Sequence, residues 1–314
     1  MRVYRSLDEV DREFGPCAVT IGNFDGVHAG HRSILRRVVA LASERGLKAS
    51  AVTFHPHPLK IVAPERAPRL LTTPEERVEL MAAEGIVQVL ILPFTLELMQ
   101  TQPREFACGI LAQRLGAKAV LVGDNFRFGY RHSGDTNTLA ACGRECGFEV
   151  EAIPALRMRG RIVSSSEVRK LVGAGQVALA GRMLERPFAL AGRVVKGRGV
   201  GSKRTVPTLN LEPATEVLPK IGVYATRTVD LGTGRRWRSV TNVGCRPTFD
   251  DCSGVTVETY LLDAFDGIPP ERIRVEFLTR LREERRFEDP EALKSQILKD
   301  VDRARKYFRL ARVC

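Results

Sequence analysis

The sequence predicts an α/β protein of two domains, in which a parallel sheet is followed by an antiparallel β-barrel and a closing α-helix. The chain has 314 residues, about twice the roughly 150 residues of a typical domain. In its first part, apolar strand-like runs alternate with helical patterns, which is typical of a parallel sheet. Beyond residue 181, glycines and prolines separate short runs rich in Val, Thr and Leu, which favours an antiparallel barrel. We therefore expect domains at residues 1–184 and 185–314.

The first domain opens with a predicted strand over Cys17–Ile21 and a helix that ends before Gly46. Apolar residues at helical spacing indicate this helix: Ile34, Leu35, Val38, Val39 and Leu41. The same reasoning predicts further strands over 49–54, 87–92 and 119–123, and further helices over 74–84, 103–115 and 138–146. Ligands of such sheets bind at the carboxyl ends of the strands, so the loops 22–31, 55–57 and 123–129 are expected to share one crevice.

The second domain is expected to hold short antiparallel strands and one long helix. Its predicted strands cover 223–229, 238–243, 256–262 and 273–278. The closing helix is predicted over 290–309, because its apolar residues keep to one stripe. These residues are Leu293, Ile297, Val301, Ala304 and Phe308.

Composition excludes several classes of protein. Hydrophobic residues make up 44% and charged residues 27%, which argues against disorder and collagen-like sequence. The net charge of +12 admits nucleic acid, an anionic membrane or phosphorylated small molecules as partners. The densest basic cluster, around Trp237, is typical of a solvated turn, and no Lys/Arg-rich tail is present. The longest apolar run, residues 89–94, falls far short of the roughly 20 residues of a membrane helix. We expect neither nucleic-acid nor membrane binding.

Cysteine usage predicts a cytoplasmic protein. Seven cysteines are scattered along the chain, so a disulfide framework is not expected. The charged N-terminal residues lack the apolar core of a signal peptide. Cys142 and Cys146 are four positions apart, but no second Cys/His pair completes a tetrahedral zinc site.

The segment 22–31 reads GNFDGVHAGH and joins the first strand to its helix. Backbone amides at a helix N-terminus bind anions, so phosphate is expected here. His28 and His31 are three apart, and Gly30 lets the backbone come close to a triphosphate whose α-phosphate they can stabilise. The alternative is one helix-capping histidine and one surface histidine.

These residues resemble the bacterial bifunctional riboflavin kinase/FAD synthetase family, whose first module is a Rossmann-like H-x-G-H nucleotidyltransferase. The segments 54–58 (FHPHP), 123–129 (GDNFRFG) and 164–169 (SSSEVR) look like the family stretches F-x-P-H-P, G-x-N/D-F-x-F-G and S-S-T-x-x-R, in the same order. Ser166 stands where the family has threonine, which keeps the hydroxyl.

The resemblance implies roles for the first site. His28 and His31 would handle the ATP phosphates, and Asn125 would support the reacting phosphate. Ser164, Ser165 and Arg169 would hold pyrophosphate. The remaining residues implied in ATP binding are Gly22, Phe24, Asp25 and Gly30.

Several of these residues also have ordinary structural explanations. The three serines 164–166 can form a helix N-cap. His55 and His57 lie two apart on an extended segment, but a metal site lacks its third ligand; we expect His57 to contact the flavin. Phe126 and Phe128 offer flat apolar surface for an isoalloxazine ring, or one of them belongs to the core.

The second site begins with a predicted glycine- and base-rich loop over 192–203, of the kind that wraps a polyphosphate. Its proposed phosphate contacts are Gly197, Gly201 and Lys203. The loop lacks the P-loop spacing. The segment 207–210 (PTLN) matches the P-T-x-N signature of riboflavin kinases, and the likeness continues through 242–249, 257–263 and 274–305.

Carried over to this chain, the resemblance implies that Thr208 and Asn210 hold Mg²⁺ and the ATP phosphates. Glu258 would accept the proton of the ribityl hydroxyl that attacks the γ-phosphate. A solvent-facing role in a strand is the alternative for Glu258. Two segments, Thr205-Val206 and 267–270, depart from the family pattern.

The resulting prediction is an enzyme that phosphorylates riboflavin to FMN and adenylylates FMN to FAD, with ATP and Mg²⁺, as a monomer or weak homo-oligomer. The nearest alternative keeps adenylyl transfer and has weak or lost kinase activity. An RNA-binding barrel is a rival of another class, which the low aromatic content of 6% disfavours.

Overall fold

The computed structural model describes residues 1–195, 208–248, 251–265, 268–285, 287 and 289–311. It divides into two compact units, Met1–Ser165 and Ser166–Cys314. Each unit has the class of sheet that the sequence predicts for its part of the chain. No helix in the described part is both long enough and apolar enough to cross a membrane.

The first unit is built on a six-stranded sheet whose order is β1-β4-β3-β2-β5-β6 and whose neighbours are all parallel. The strands are β1 (Arg2–Tyr4), β2 (Cys17–Ile21), β3 (Lys48–His55), β4 (Gln88–Pro93), β5 (Ala117–Gly123) and β6 (Glu149–Ile153). The central strand β2 is buried at all five positions, as expected of a strand covered on both faces. A short hairpin of β7 (Arg157–Met158) and β8 (Arg161–Ile162) follows.

Helices connect these strands. They are α1 (Ala29–Arg45), α2 (Pro58–Val62), α3 (Pro74–Ala83), α4 (Leu96–Gln100), a π-helix (Glu105–Arg114) and α5 (Thr136–Cys146). Helix α1 ends at Gly46, whose φ of 63° is the left-handed conformation that favours glycine. Two apolar clusters form the core, one including Phe14, Leu111 and Val120 and the other including Leu35, Met81 and Val89.

The strands β1 and β6 were not predicted, because they lie at the two edges of the sheet. Edge strands need to bury only part of their surface, so the sequence of β6, EVEAI, lacks the continuous apolar run of β2. The predicted helix over 103–115 is a π-helix, with Leu115 N–H donating to the carbonyl of Ile110.

One crosslink was not expected from the sequence. Cys108 of the π-helix and Cys146 of α5 form a disulfide. The two cysteines are 38 positions apart, so their proximity depends on the packing of two helices and not on local spacing. Cys142, one turn before Cys146, is a buried free thiol.

The second unit contains a closed antiparallel barrel, whose strands follow the order β10-β13-β12-β11-β14-β9. The strands are β9 (Phe188–Val195), β10 (Thr208–Pro213), β11 (Gly222–Asp230), β12 (Arg236–Thr248), β13 (Asp251–Leu261) and β14 (Arg272–Arg282). The unit's helices are α6 (Ser165–Gly173), α7 (Val177–Leu184) and α8 (Pro290–Ala311).

The barrel interior is partly polar. Five fully buried hydroxyls form a continuous hydrogen-bonded chain with oxygen–oxygen distances of 2.7–2.8 Å. From one hydrogen bond to the next, the hydroxyls belong to Thr228, Ser239, Thr226, Thr241 and Thr259. The alternate residues of the same strands therefore face outward.

Helix α8 covers part of that outer surface. Ala304 and Phe308 pack against Val223, Ala225 and Val240, which confirms the predicted apolar stripe at these two positions of the helix. The helix is also fixed by Asp300, 2% exposed, which accepts hydrogen bonds from Arg282 at 2.7–3.0 Å.

The predicted loop over 192–203 is wrong in its first part. Gly192 to Val195 belong to β9, where Gly192 pairs with Pro213 and Ile273. The glycine is needed for strand approach and not for phosphate, because a Cβ there would lie 1.8 Å from the carbonyl oxygen of Glu212. Gly197, Gly201, Lys203, Thr205-Val206 and Gly267 lie outside the described residues.

Candidate active sites

The loop between β2 and α1, residues 22–28, holds its backbone in unusual conformations. Phe24 and Val27 have positive φ values of 49° and 37°, and Gly26 has 78°. A β-branched residue such as Val27 is strained there. Burial maintains the loop, since Phe24 is 1% and Val27 0% exposed. Strain of this kind persists where surrounding packing fixes it, often at functional sites.

The two predicted histidines lie at the start of α1. His28 is the N-cap, and its Nδ1 accepts a hydrogen bond of 3.2 Å from the backbone N–H of His31. The rings are stacked with centroids 3.6 Å apart and planes inclined by 16°. Gly30 allows this arrangement, because a Cβ there would lie 3.3 Å from His28 ring atoms. The structure thus combines both sequence interpretations of His28, as a helix cap and as a member of a histidine pair.

The second ring is held neutral. Burial lowers the pKa of His31 well below its usual value, and the neighbouring His28 and the Arg77 cation lower it further. The Nδ1 atom of His31 is buried without a hydrogen-bond partner among the described residues. A neutral imidazole offers one N–H donor and one acceptor. At neutral pH, His31 can therefore donate a hydrogen bond to a ligand without carrying charge.

Asp25 fastens the loop to the start of α3. Its side chain is 1% exposed and accepts hydrogen bonds from the backbone N–H groups of Leu71 and Thr72 at 3.0–3.1 Å. The Thr72 hydroxyl also donates to Asp25 and accepts from Gly26 N–H. The described contacts of this carboxylate are thus with the protein itself, which gives it a part in shaping the loop.

His57 is brought to the same loop. It is 8% exposed, whereas His55 is exposed. Its Nδ1 accepts the N–H of Leu59 as the N-cap of α2, and its Nε2 lies 3.3 Å from the side-chain amide nitrogen of Asn23. The strands β3 and β2 that carry these residues are neighbours in the sheet. The predicted convergence of loops 22–31 and 55–57 is confirmed.

The segment before α6 also reaches the loop. The hydroxyl of Ser165 donates to the backbone carbonyl of Asp25 at 2.8 Å, and a Cβ on Gly30 would lie 3.6 Å from the carbonyl oxygen of Val163. Ser165 is also the first residue of α6. Arg169 lies one turn further along that helix.

Strand β5, on the other side of β2, ends at the third predicted loop. Asn125 is exposed there, two positions after the strand's last residue, Gly123. Phe128 is buried in the core at 6% exposure. Phe126 is partly buried and stacks on Phe128 with centroids 5.5 Å apart. Phe126 is thus the more accessible of the two, and Phe128 supports it from the core.

Two buried residues close to the loop between β2 and α1 were not identified as site residues from the sequence. Thr53 and Arg77 are 0% and 2% exposed, and Arg77 Nη1 donates to Thr53 Oγ1 at 2.9 Å. The sequence feature that could have identified Arg77 is the Thr73–Glu76 capping box, which fixes the start of α3. It places Arg77 one turn before the buried Met81, on the face that packs inward.

The second candidate site is a row of polar residues across three barrel strands. Asn210 of β10 pairs with Glu258 of β13, which pairs with Asn242 of β12. Directly paired residues share one face of a sheet, with Cβ atoms about 4.5–5.5 Å apart. The adjacent residue Thr259 points into the barrel, so this row faces outward.

Thr208 belongs to the same face, because it precedes Asn210 by two positions on β10. Thr208 and Glu258 are exposed and Asn210 is half-buried. Asn242, which was not predicted as a site residue, lies with its amide nitrogen 3.4 Å from a carboxylate oxygen of Glu284. The second site thus joins hydroxyl, amide and carboxylate groups, which are oxygen ligands that suit a hard divalent cation.

Comparisons with known proteins agree with this division of sites. The family model for FAD synthetase matches residues 10–167, and the model for riboflavin kinase matches residues 184–308. The Pseudomonas fluorescens protein "Bifunctional riboflavin kinase/FMN adenylyltransferase" is 38% identical over 305 residues, covering 97% of both chains. The chain belongs to the bifunctional riboflavin kinase/FMN adenylyltransferase family.

Other family members give the same result. The protein of the same name from Escherichia coli K12 is 35% identical over 298 residues, covering 94% of each chain. Among solved structures, one titled "Macrolide-efflux Protein" from Streptococcus pneumoniae superimposes with a TM-score of 0.86 over 96% of this chain and 98% of its own. Its sequence is 24% identical, so this likeness supports the fold alone.

Proposed function

We propose that this chain makes FAD from riboflavin in two ATP-dependent steps, and that residues 1–184 and 185–314 each carry out one step. Residues 185–314 phosphorylate riboflavin to FMN, and residues 1–184 transfer AMP from another ATP to FMN, releasing pyrophosphate. Support comes from the family membership of nearly the whole chain and from two separate polar sites. The two separate family models, over residues 10–167 and 184–308, support the assignment of one step to each part of the chain.

For adenylyl transfer, the observation that carries the proposal is the histidine pair at the N-terminus of α1. A phosphate oxygen of FMN attacks the α-phosphorus of ATP, and the bond to pyrophosphate breaks. Negative charge grows on the departing phosphates, where backbone amides at a helix N-terminus stabilise it. His28 and His31 donate hydrogen bonds to the same phosphates, and preorganised donors of this kind are worth several kcal/mol.

Further residues of the segment 1–184 complete this proposal. Asn125, at the end of β5, supports the reacting phosphate, while Ser164, Ser165 and Arg169 hold pyrophosphate. Gly22, Phe24, Asp25 and Gly30 shape the ATP site through the loop 22–28 and the start of α1. Phe126 offers its ring face to the isoalloxazine, and His57 contacts the flavin from the neighbouring loop.

For phosphorylation, the supporting observation is the outward row of Asn210, Glu258 and Asn242. Glu258 accepts the proton of the ribityl hydroxyl as that oxygen attacks the γ-phosphorus of ATP, and ADP leaves. A positioned general base contributes about 10²–10⁴-fold to such a step. Thr208 and Asn210 supply hydroxyl and amide oxygens that would hold Mg²⁺, which neutralises charge on the transferred phosphoryl group.

A flavin assay tests both assignments. Purified protein is incubated with MgATP and either riboflavin or FMN, and the flavins are separated by chromatography. We expect FMN and FAD from riboflavin, and FAD from FMN. Formation of FAD from FMN alone would remove the kinase assignment. Omission of Mg²⁺ with a chelator should stop FMN formation, and continued phosphorylation would contradict the metal role of Thr208 and Asn210.

A further inference from the structure

Arg77 is a buried cation in the first unit that the sequence motifs above do not include. It is 2% exposed and lies in α3, which begins with the Thr73–Glu76 capping box. Its Nε atom has no hydrogen-bond partner within the described part of the chain. Burying a guanidinium is unfavourable unless its position serves packing, hydrogen bonding or a nearby negative charge.

A hydrogen-bonded chain connects Arg77 to the β2–α1 loop. Arg77 Nη1 donates to Thr53 Oγ1 at 2.9 Å and to the carbonyl of Phe54 at 3.3 Å. Thr53 Oγ1 in turn donates to the backbone carbonyl of Asn23 at 3.1 Å. Three elements are fastened in this way: helix α3, the end of β3 and the loop that leads to His28.

Arg77 also acts on the histidine pair through its charge. Its positive charge is one cause of the low pKa of His31, after burial and His28. Burial lowers the pKa of Arg77, and the negative charges of Asp25 and Glu75 oppose that shift. Asp25 is already engaged by Leu71 and Thr72. A polyphosphate at the start of α1 would supply the negative charge that this buried cation favours.

We propose that Arg77 is a positioning residue for adenylyl transfer, which fixes the β2–α1 loop through Thr53 and adds a buried positive charge to the polyphosphate site. The inference rests on the proposed function of the first unit. It assigns Arg77 no contact with FMN or with the reacting atoms. Loss of the guanidinium is therefore expected to impair both the geometry of the loop and the affinity for ATP.

Three variants separate these contributions. Arg77→Met removes hydrogen bonds and charge, Arg77→Lys keeps the charge, and Thr53→Val removes only the hydroxyl link. We expect R77M to lower kcat/KM for FAD formation from FMN about 100-fold, as misplacement of catalytic groups does. T53V is expected to lower it about fivefold, the effect of one hydrogen bond. R77K should fall between them, with a KM for ATP closer to that of the unchanged protein.

The riboflavin kinase reaction of the same chain is the internal control, and Arg12→Met, at an exposed arginine, is the matched control. The riboflavin kinase rate of R77M should stay within about twofold of that of the unchanged protein. The rate of FAD formation by R12M should also stay within about twofold, because substitution of a surface residue rarely affects stability. If the unchanged protein makes no FAD from FMN, the proposed function fails. If it does and R77M equals it, the inference about Arg77 fails.

A spectroscopic measurement distinguishes charge from packing. The ring of His31 is titrated by NMR in the full chain, where His28 and Arg77 are the titratable or charged groups that act on it. Its pKa should rise in R77M and remain low in R77K, which a packing role alone does not predict. If R77M does not fold, T53V decides: wild-type adenylyl transfer in a folded T53V would overturn the proposed hydrogen-bonded chain.

Discussion

Two imidazole rings in contact repel each other when both are protonated. The stacked rings of His28 and His31 lie 3.6 Å apart, and the pKa of His31 is held low by burial, His28 and Arg77. Under the proposed function, His31 would meet the ATP phosphates through a directed hydrogen bond and not through its own charge. This arrangement suits a reaction in which the histidines must orient a departing group and need not exchange a proton with it.

The role of His28 can be separated from its function as a helix cap. His28→Ala should abolish FAD formation from FMN while FMN formation from riboflavin continues. Because loss of a cap costs about 1 kcal/mol of stability, His28→Asn, which retains a capping side chain, is the second variant. It should be equally inactive in adenylyl transfer but unfold at a higher temperature than H28A. Persistent FAD synthesis in either variant would refute the assignment, and H132A, at an exposed histidine, is the control.

Acid should destabilise the native protein through His31. In the folded state the pKa of this ring lies well below its usual value of about 6.5. At pH values below about 6.5 and above the pKa of the folded state, the unfolded chain therefore binds a proton that the native chain does not. Stability is therefore lost as the pH falls below about 6.5. Thermal unfolding measured from pH 7.5 to 5 should show a steeper decline for the unchanged protein than for His31→Gln. Equal declines would exclude this contribution.

Glu258 offers an equally direct test in the second unit. Glu258→Gln keeps size and hydrogen bonding but removes the proton acceptor, so FMN formation should fall about 10²–10⁴-fold. FAD formation from added FMN should stay unchanged. Glu291→Gln, at an exposed position of α8, is the control for loss of a carboxylate. A kinase rate within twofold of normal in E258Q would assign Glu258 to the solvent-facing role.

At the scale of elements, close approach of strands limits which residues the barrel accepts. Strands β9, β10 and β14 meet at Gly192, which pairs with residues of both neighbours. A side chain at this position has no room, because its Cβ would meet the backbone of Glu212. In contrast, a Cβ added to Gly173, at the end of α6, would have no atom within 4 Å, so a methyl group fits there.

Gly192→Ala is therefore expected to destabilise the barrel by about 1–3 kcal/mol or more, as overpacking does. The kinase reaction should lose its activity at a lower temperature than adenylyl transfer does. Gly173→Ala, the matched control, should leave the barrel as stable or raise its stability by about 0.5–1 kcal/mol, since alanine favours the helix. Thermal inactivation curves of both reactions provide the measurement. If the kinase reaction of G192A is inactivated at the same temperature as that of the unchanged protein, strands β9 and β10 accommodate the added methyl group and the prediction is wrong.

At the scale of the whole molecule, buried elements and sequence motifs were predictable, and contacts between distant segments were not. The central strands β2 to β5 follow from apolar runs, whereas β1 and β6 at the sheet edges do not. The histidine pair was visible because its members are three positions apart. Arg77 reaches Thr53 only after α3 packs on the sheet, and Cys108 meets Cys146 across 38 positions. Contacts of this kind depend on tertiary structure, which no local pattern encodes.

The hydroxyl chain inside the barrel has a consequence for the temperature dependence of stability. When the barrel unfolds, the hydroxyls of Thr226, Ser239 and Thr241 become exposed to water together with the apolar side chains. Exposure of polar surface lowers the heat-capacity change of unfolding, whereas exposure of apolar surface raises it. The barrel should therefore have a smaller heat-capacity increment per residue than the apolar core of the first unit. Its stability curve is correspondingly flatter, so cooling weakens the kinase unit less than the adenylyltransferase unit.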